Sequence, residues 1–296
     1  MTGPAPRSLR VHLTDYPVTR ALREGRVASP GLRFEYSDHR FIFDAFRPML
    51  ESQCYDVCEM AIVTVLQARE HGSPLALLPV SVNARFQHGA LVFAPDHGPQ
   101  HPEALAGKRI GVRSYAQTTV TWLRGILERD HGLDPRAAEW VTVEDAHVRA
   151  YRDPPWCRRA PEGATLPDML LSGAVDVAVL PPKQAADPRL RPVFADPQAA
   201  AADWFARTGI KPMNHMVVVP QRLCDEAPEV VREVFALLAA SKAAAAAESP
   251  DMTPIGVEAN RTSLAAIIDH ALRSRVLSRP VTVDELFDDL TRTLGA

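Results

Sequence analysis

Cysteine is scarce: Cys54, Cys58, Cys157 and Cys224 are the four in 296 residues. So few thiols exclude a disulfide-stapled miniature scaffold, and a chain this long buries enough apolar surface to fold without staples. Cys54 and Cys58 are separated by three residues, which is neither a thioredoxin-type motif nor a zinc-ribbon pair, so both are expected to be small buried side chains. Lysine is equally rare, with 4 residues against 29 arginines, and this bias reads as a compositional habit, not a phosphate site. No charge of one sign dominates. Thirty-three Lys and Arg against 36 Asp and Glu leave a net charge of −3, without the basic stripe of a nucleic-acid binder. No apolar run reaches the ~18 residues of a membrane span. The longest, residues 230–247, is broken by Arg232, Glu233, Ser241 and Lys242, so no membrane partner is expected. Residues 1–10, MTGPAPRSLR, lack the apolar stretch of a secretory signal, so a cytoplasmic protein with reduced cysteines is expected. No glycine-rich nucleotide loop occurs, since Gly107 and Gly111 flank a predicted strand without the required pattern.

What is present is ordinary globular composition, with 46% hydrophobic and 23% charged residues. Strand and helix signals alternate. Strands are predicted over residues 9–13, 32–36, 55–60 and 75–80, and helices over 41–52 and 62–70. A compact middle section follows: strand 108–112, helix 118–130, strand 140–143, helix 166–171 and the apolar strand 175–180. Three helices are predicted to close the chain, over 227–248, 262–274 and 283–294. The first includes the alanine run 243–247, and the last starts from a Thr282/Glu285 capping box. Segments 88–93 and 215–219 read as two crossings between lobes. On this layout residues 1–88 plus 217–296 form a discontinuous first lobe and 89–216 the second, with a hinge beside a ligand-binding cleft. A single doubly wound domain is the competing layout.

Several blocks carry a family resemblance. They are YDVCEMAIVTVLQARE (55–70), PVSVNARFQHGALVF (79–93), GKRIGVRSYAQTTVTWLRGILERDHGL (107–133), TGIKPMNHMVVVP (208–220), GVEANRTSLAAIIDHAL (256–272) and VDELF (283–287). In this order they resemble the 4,5-dihydroxyphthalate decarboxylase family over nearly the whole chain. The resemblance implies an α/β, two-lobe type 2 periplasmic-binding-protein-like fold with a central cleft and two hinge crossings. It also implies an enzyme, a cofactor-independent decarboxylase of a small hydroxylated aromatic carboxylic acid. Three departures stand out. Gln87 replaces an expected second arginine, Ala61 replaces a small hydroxyl residue, and residues 151–161 lie outside the match. The Gln87 change leaves room for a different substrate. A solute-binding protein for a carboxylate, and a dehydratase or lyase of a cyclic carboxylate, are the alternatives on the same fold.

Decarboxylating such an acid requires a cation for the carboxylate and a proton donor for the ring carbon, usually histidine. Arg85 is expected as the carboxylate clamp and His88 as the donor, against a surface ion pair and a satisfied hinge histidine. His215, opening the return crossing, is expected near His88 and would share the acid–base work. Glu59, at a strand end, reads as a general base or an orienter of a histidine, or as a carboxylate on a helix dipole. Too few ligands converge for a metal, and none is expected. In segment 114–119 the start of a helix would hold an anion, with Thr118 and Thr119 adding hydroxyls and Tyr115 meeting a ring hydroxyl, or threonine would simply cap the helix. Arg113 is a second anion contact or faces solvent. Asp15, Tyr16 and Arg20 occupy the first strand-to-helix loop and are expected to face the cleft, and Asn83 and Asn214 flank the crossings. The resemblance and the apolar C-terminal helices leave a homo-oligomer open.

Overall fold

The computed structural model describes residues 5–96, 98–99 and 101–295. The chain folds into two compact units, one of Met1–Arg85, Met213–Ala265 and Val281–Ala296, the other of Phe86–Pro212 and Ala266–Pro280. It therefore passes between them four times, where the sequence suggests two crossings. The additional excursion is residues 266–280, which the sequence reading leaves in the first lobe. Its side chains explain where it belongs. The His270 ring packs edge-on against Trp122 at 5.6 Å, and the Ser274 carbonyl accepts the Tyr115 hydroxyl at 3.0 Å. Arg273 pairs with Glu128.

The first unit is built on strands β1 (Arg7–His12), β2 (Leu32–Tyr36), β3 (Val57–Ala61) and β4 (Leu75–Ala84). The second unit supplies β5 (Leu91–Phe93), β6 (Arg109–Val112), β7 (Glu139–Thr142), β8 (Cys157–Arg159), β9 (Val177–Val179) and β10 (Arg191–Pro192). Strand β11 (Met213–Pro220) returns to the first unit. The first sheet has the order β2-β1-β3-β11-β4, with β1 parallel to β2 and β3, and β11 antiparallel to both its neighbours. Its core joins Leu9, Val11, Val57, Leu78, Val80, Val217 and Val219 to the helix Pro228–Ala243 through Val231, Val234 and Leu238. Pro79 lies in β4, an edge strand, where a missing ladder donor is tolerated.

The second sheet has the order β10-β5-β9-β6-β7-β8. Val92, Val141, Ala178 and Leu180 pack there with Leu166, Met169 and Leu170 of the helix Leu166–Leu171. The helix Thr118–His131 ends on Gly132 at φ 66°, a left-handed cap that glycine adopts without a Cβ penalty. Among the described residues no helix is long and apolar enough to cross a membrane.

Two C-terminal expectations change. The alanine run leaves its helix at Ala243, beside Lys242, whose ammonium bonds Asp251 at 2.7 Å. The predicted helix 283–294 is reduced to two 3-10 turns, Asp284–Leu286 and Thr291–Thr293. The four cysteines are free, with Cys58 and Cys224 buried and Cys54 and Cys157 half-buried.

Candidate active site

Strand register assembles the site in the first unit. Across β3 and β11, Glu59 lies opposite Val217 and Ala61 opposite His215. Residues two apart on a strand share a face, so Glu59 and His215 meet as diagonal neighbours. His215 Nδ1 lies 2.9 Å from Glu59 Oε1. On the other side His215 lies opposite Asn83 of β4. The strand ends that carry His12, Glu59 and Asn83 and the start of β11 thus converge at one edge of the sheet, where α/β proteins collect ligand-binding groups.

Glu59 is fully buried, and a buried carboxylate is costly unless hydrogen-bonded. Its partners come from the loop after β1. The Thr14 backbone N–H donates to Oε2 at 2.5 Å, and the Tyr16 hydroxyl donates to Oε1 at 3.1 Å. Asn83 Nδ2 in turn donates to the Tyr16 hydroxyl oxygen at 2.8 Å. Thr19 holds this loop in shape, accepting from the Tyr16 N–H at 2.9 Å and donating to the Thr14 carbonyl at 2.5 Å. Pro17, at the start of helix Pro17–Arg23, presets the turn that follows. An ionised carboxylate only accepts, so His215 Nδ1 carries the hydrogen of that bond and Nε2 is the nitrogen left to exchange protons. The His215 side chain is 14% exposed, and Phe46 packs edge-on against its ring at 5.5 Å.

Two further groups border this arrangement. Burial draws the Arg85 guanidinium below its ordinary range, while the neighbouring Tyr16 phenol opposes that shift. Burial also lowers the His12 imidazole, with Glu59 opposing. His12 Nε2 faces the Ile42 carbonyl at 3.0 Å and Nδ1 faces Ser37 Oγ at 2.7 Å, so both ring nitrogens are satisfied within the protein. Burial, reinforced by Glu59, holds the Tyr16 phenol well above its usual range, so it remains a donor.

The remaining sequence candidates have other partners. Asp15 and Arg20 pair with each other at 3.0 Å on the exposed surface. His88 belongs to the second unit, in the 3-10 turn His88–Ala90, whereas His215 belongs to the first. It is 2% exposed and packs edge-on against Phe194 at 4.9 Å and Trp204 at 6.0 Å. Burial pushes its imidazole down to about 4, and Nδ1 has no hydrogen-bond partner among the described residues. This is the environment of a neutral core histidine. Tyr115 is also a core residue. Its hydroxyl donates to the Ser274 carbonyl and accepts from Trp156 Nε1 at 2.9 Å, which uses the valences expected to meet a ring hydroxyl. Arg113 pairs with Glu144 at 3.0 Å. Thr118 and Thr119 are buried in the first turn of helix Thr118–His131, after an N-cap Gln117 that makes no side-chain cap. Buried Arg124 of the same helix donates to the Tyr115 carbonyl at 2.8 Å and stacks over its ring at 3.7 Å. Among the described residues no group of three or more His, Cys, Asp or Glu is arranged to hold a metal ion. Sequence reasoning noticed Tyr16 only by its loop and missed its bond to Glu59, because no spacing signals a contact across 43 residues.

The fold defines the class of protein. Its α/β units match the periplasmic aliphatic sulphonate binding protein SsuA from Escherichia coli with a TM-score of 0.59 at 13% identity, over 96% of this chain and 92% of that one. They match the MOPS-bound alkanesulfonate-binding protein SsuA from Xanthomonas axonopodis pv. citri at 0.51 and 14% identity, over 97% and 84%. The desulfurization enzyme DSZB matches at 0.50 and 15% identity, over 96% and 97%. These likenesses establish a two-lobe fold of the type 2 periplasmic-binding-protein kind. No protein-family model matches the chain. A 4,5-dihydroxyphthalate decarboxylase from Pseudomonas putida is 31% identical over 213 residues, 67% of this chain and 81% of that protein. One from Comamonas testosteroni is 28% identical over 290 residues, 91% of this chain and 83% of that protein. The chain belongs to the 4,5-dihydroxyphthalate decarboxylase family.

Proposed function

We propose that this protein decarboxylates a small hydroxylated aromatic carboxylic acid of the phthalate type without a cofactor, using His215 as the proton donor. The observation that carries this reading is the buried Glu59 carboxylate 2.9 Å behind His215 Nδ1. A carboxylate in that position fixes the ring orientation and stabilises the imidazolium, leaving Nε2 to deliver the proton. Arg85, a neighbour of Tyr16, is the cation for the substrate carboxylate.

The steps balance without a redox partner. The ring carbon that bears the carboxylate takes a proton from His215 Nε2 as a hydroxyl ortho or para to it gives its own proton to solvent water, from which the oxygen is reprotonated after CO2 leaves. The resulting dienone loses CO2, and the electron pair of the broken C–C bond restores the aromatic ring and draws a proton back onto oxygen. His215 recovers its proton from water. His88 is not given the donor role, because its buried ring is neutral near pH 7.

The test is CO2 release from 4,5-dihydroxyphthalate and related hydroxybenzoates by purified protein. Turnover is expected, and His215→Ala should lower kcat by about 10²–10⁴-fold. Tight reversible binding without turnover across the panel would overturn the enzyme reading in favour of a carboxylate-binding protein. Loss of 18 instead of 44 mass units would identify a dehydratase.

A further inference from the structure

We infer that Tyr16, oriented by Asn83, is a positioning residue that sets the basicity of His215 through their shared partner, oxygen Oε1 of Glu59. The inference deepens the proposed function and rests on His215 being the proton-transfer group. Its geometry lies within the first unit. The chain of bonds runs from Asn83 Nδ2 to the Tyr16 oxygen at 2.8 Å, then from the Tyr16 hydroxyl to Glu59 Oε1 at 3.1 Å. His215 Nδ1 reaches the same Oε1 at 2.9 Å.

The direction of each bond follows from the donors available. An amide NH2 only donates, so Asn83 occupies a lone pair of the phenol oxygen and leaves its single O–H to point at Glu59. The Thr14 N–H already engages Oε2. Tyr16 and His215 therefore compete for the charge on one carboxylate oxygen. In a buried site each donor withdraws charge that would otherwise stabilise the imidazolium. Tyr16 thus holds His215 less basic than Glu59 alone would make it, which makes the imidazolium a readier proton donor. Among the described residues, titratable or charged groups that act on this cluster include His12, with His39 behind it, and Cys58 from β3, and Arg85 following β4 acts on Tyr16. Phe46 presents only an apolar edge.

The test uses the full-length protein labelled with ¹⁵N-histidine, with the His215 signals assigned among ten histidines by their loss in His215→Gln. The wild type should show the Nδ1–H tautomer for His215. In Tyr16→Phe its titration midpoint should rise by ~0.5–1 pH unit. The alkaline limb of kcat should move up with it, and on the plateau below that limb kcat should fall about two- to threefold while KM stays within about twofold. Asn83→Ala keeps the hydroxyl but releases its orientation, so a smaller shift of the same sign is expected. The double variant should shift no further than Tyr16→Phe alone. An unchanged His215 midpoint in folded Tyr16→Phe, or additive shifts in the double variant, would overturn the inference. A loss confined to KM would make Tyr16 a substrate contact instead. The titration is read without substrate, so absent CO2 release with the expected NMR shifts would count against the function and not against the positioning role.

Discussion

A histidine does acid–base work only if its surroundings let it hold a proton near the working pH. His215 and His88 differ in their surroundings. His215 has a buried carboxylate at 2.9 Å and keeps some exposure, whereas His88 is enclosed by Phe194 and Trp204 and held near 4 by burial. Substitution should therefore separate them. His88→Leu is expected to leave kcat within about threefold and to alter the melting temperature instead. Glu59→Gln should lower kcat by at least tenfold, because the amide can no longer balance an imidazolium and exposes a donor face to other donors. Steady-state kinetics beside thermal melts would decide. If His88→Leu removes turnover while the melt is unchanged, the donor assignment moves to His88.

Elements were legible in the sequence where their signals are local. The helices Ile62–Glu70 and Leu166–Leu171 occupy the residues that apolar spacing and turn residues predict, and the strand Leu32–Tyr36 does too. Helix Pro197–Thr208 was missed despite a clear start and stop, with Asp196 accepting from the Gln198 and Ala199 amides and Gly209 closing it at φ 64°. The Thr282/Glu285 capping box does form, with bonds of 3.1 and 3.3 Å. Asp288 and Thr291 then exchange side-chain-to-backbone bonds at 3.1 and 2.6 Å, which compete with the helical ladder and leave only short turns. Glu59 was legible as a general base or the orienter of a histidine, but which histidine was not, since 156 residues separate it from His215 and only the β3–β11 register joins them. Gly125 shows how contact overrides propensity. Alanine should gain about 1 kcal/mol by propensity in the helix Thr118–His131. An added Cβ would however overlap ring atoms of His270. Gly125→Ala is thus expected to be destabilising by about 1–3 kcal/mol, read as a lower denaturant midpoint at unchanged slope. A stabilised Gly125→Ala would show that His270 can move aside.

The molecule divides its labour between units, since the carboxylate–histidine pair lies in the first and two buried histidines, His88 and His270, lie in the second. Both are almost fully buried and both are drawn from 6.5 down to about 4, chiefly by burial. The unfolded chain binds their protons as pH falls below about 6.5, while the folded chain resists until about pH 4. Their contribution to stability is therefore complete above pH 6.5, declines through the interval, and is gone below 4. Each histidine accounts for up to about 3 kcal/mol of that decline. Carboxylates with lowered values, such as Asp187 at about 2 beside Arg189, act in the same direction at still lower pH, whereas Asp153 of the same unit, its carboxyl raised by burial, opposes part of the decline. All four tryptophans, Trp122, Trp140, Trp156 and Trp204, belong to the second unit, so their fluorescence reads that unit alone. Urea titrations followed by tryptophan emission should give a midpoint that falls steadily between pH 6.5 and 4.5. The His88→Leu variant should retain a shallower pH slope over the same interval, because one buried proton acceptor has been removed. A midpoint independent of pH there, or a slope unaltered in that variant, would mean that His88 is protonated inside the fold at little cost.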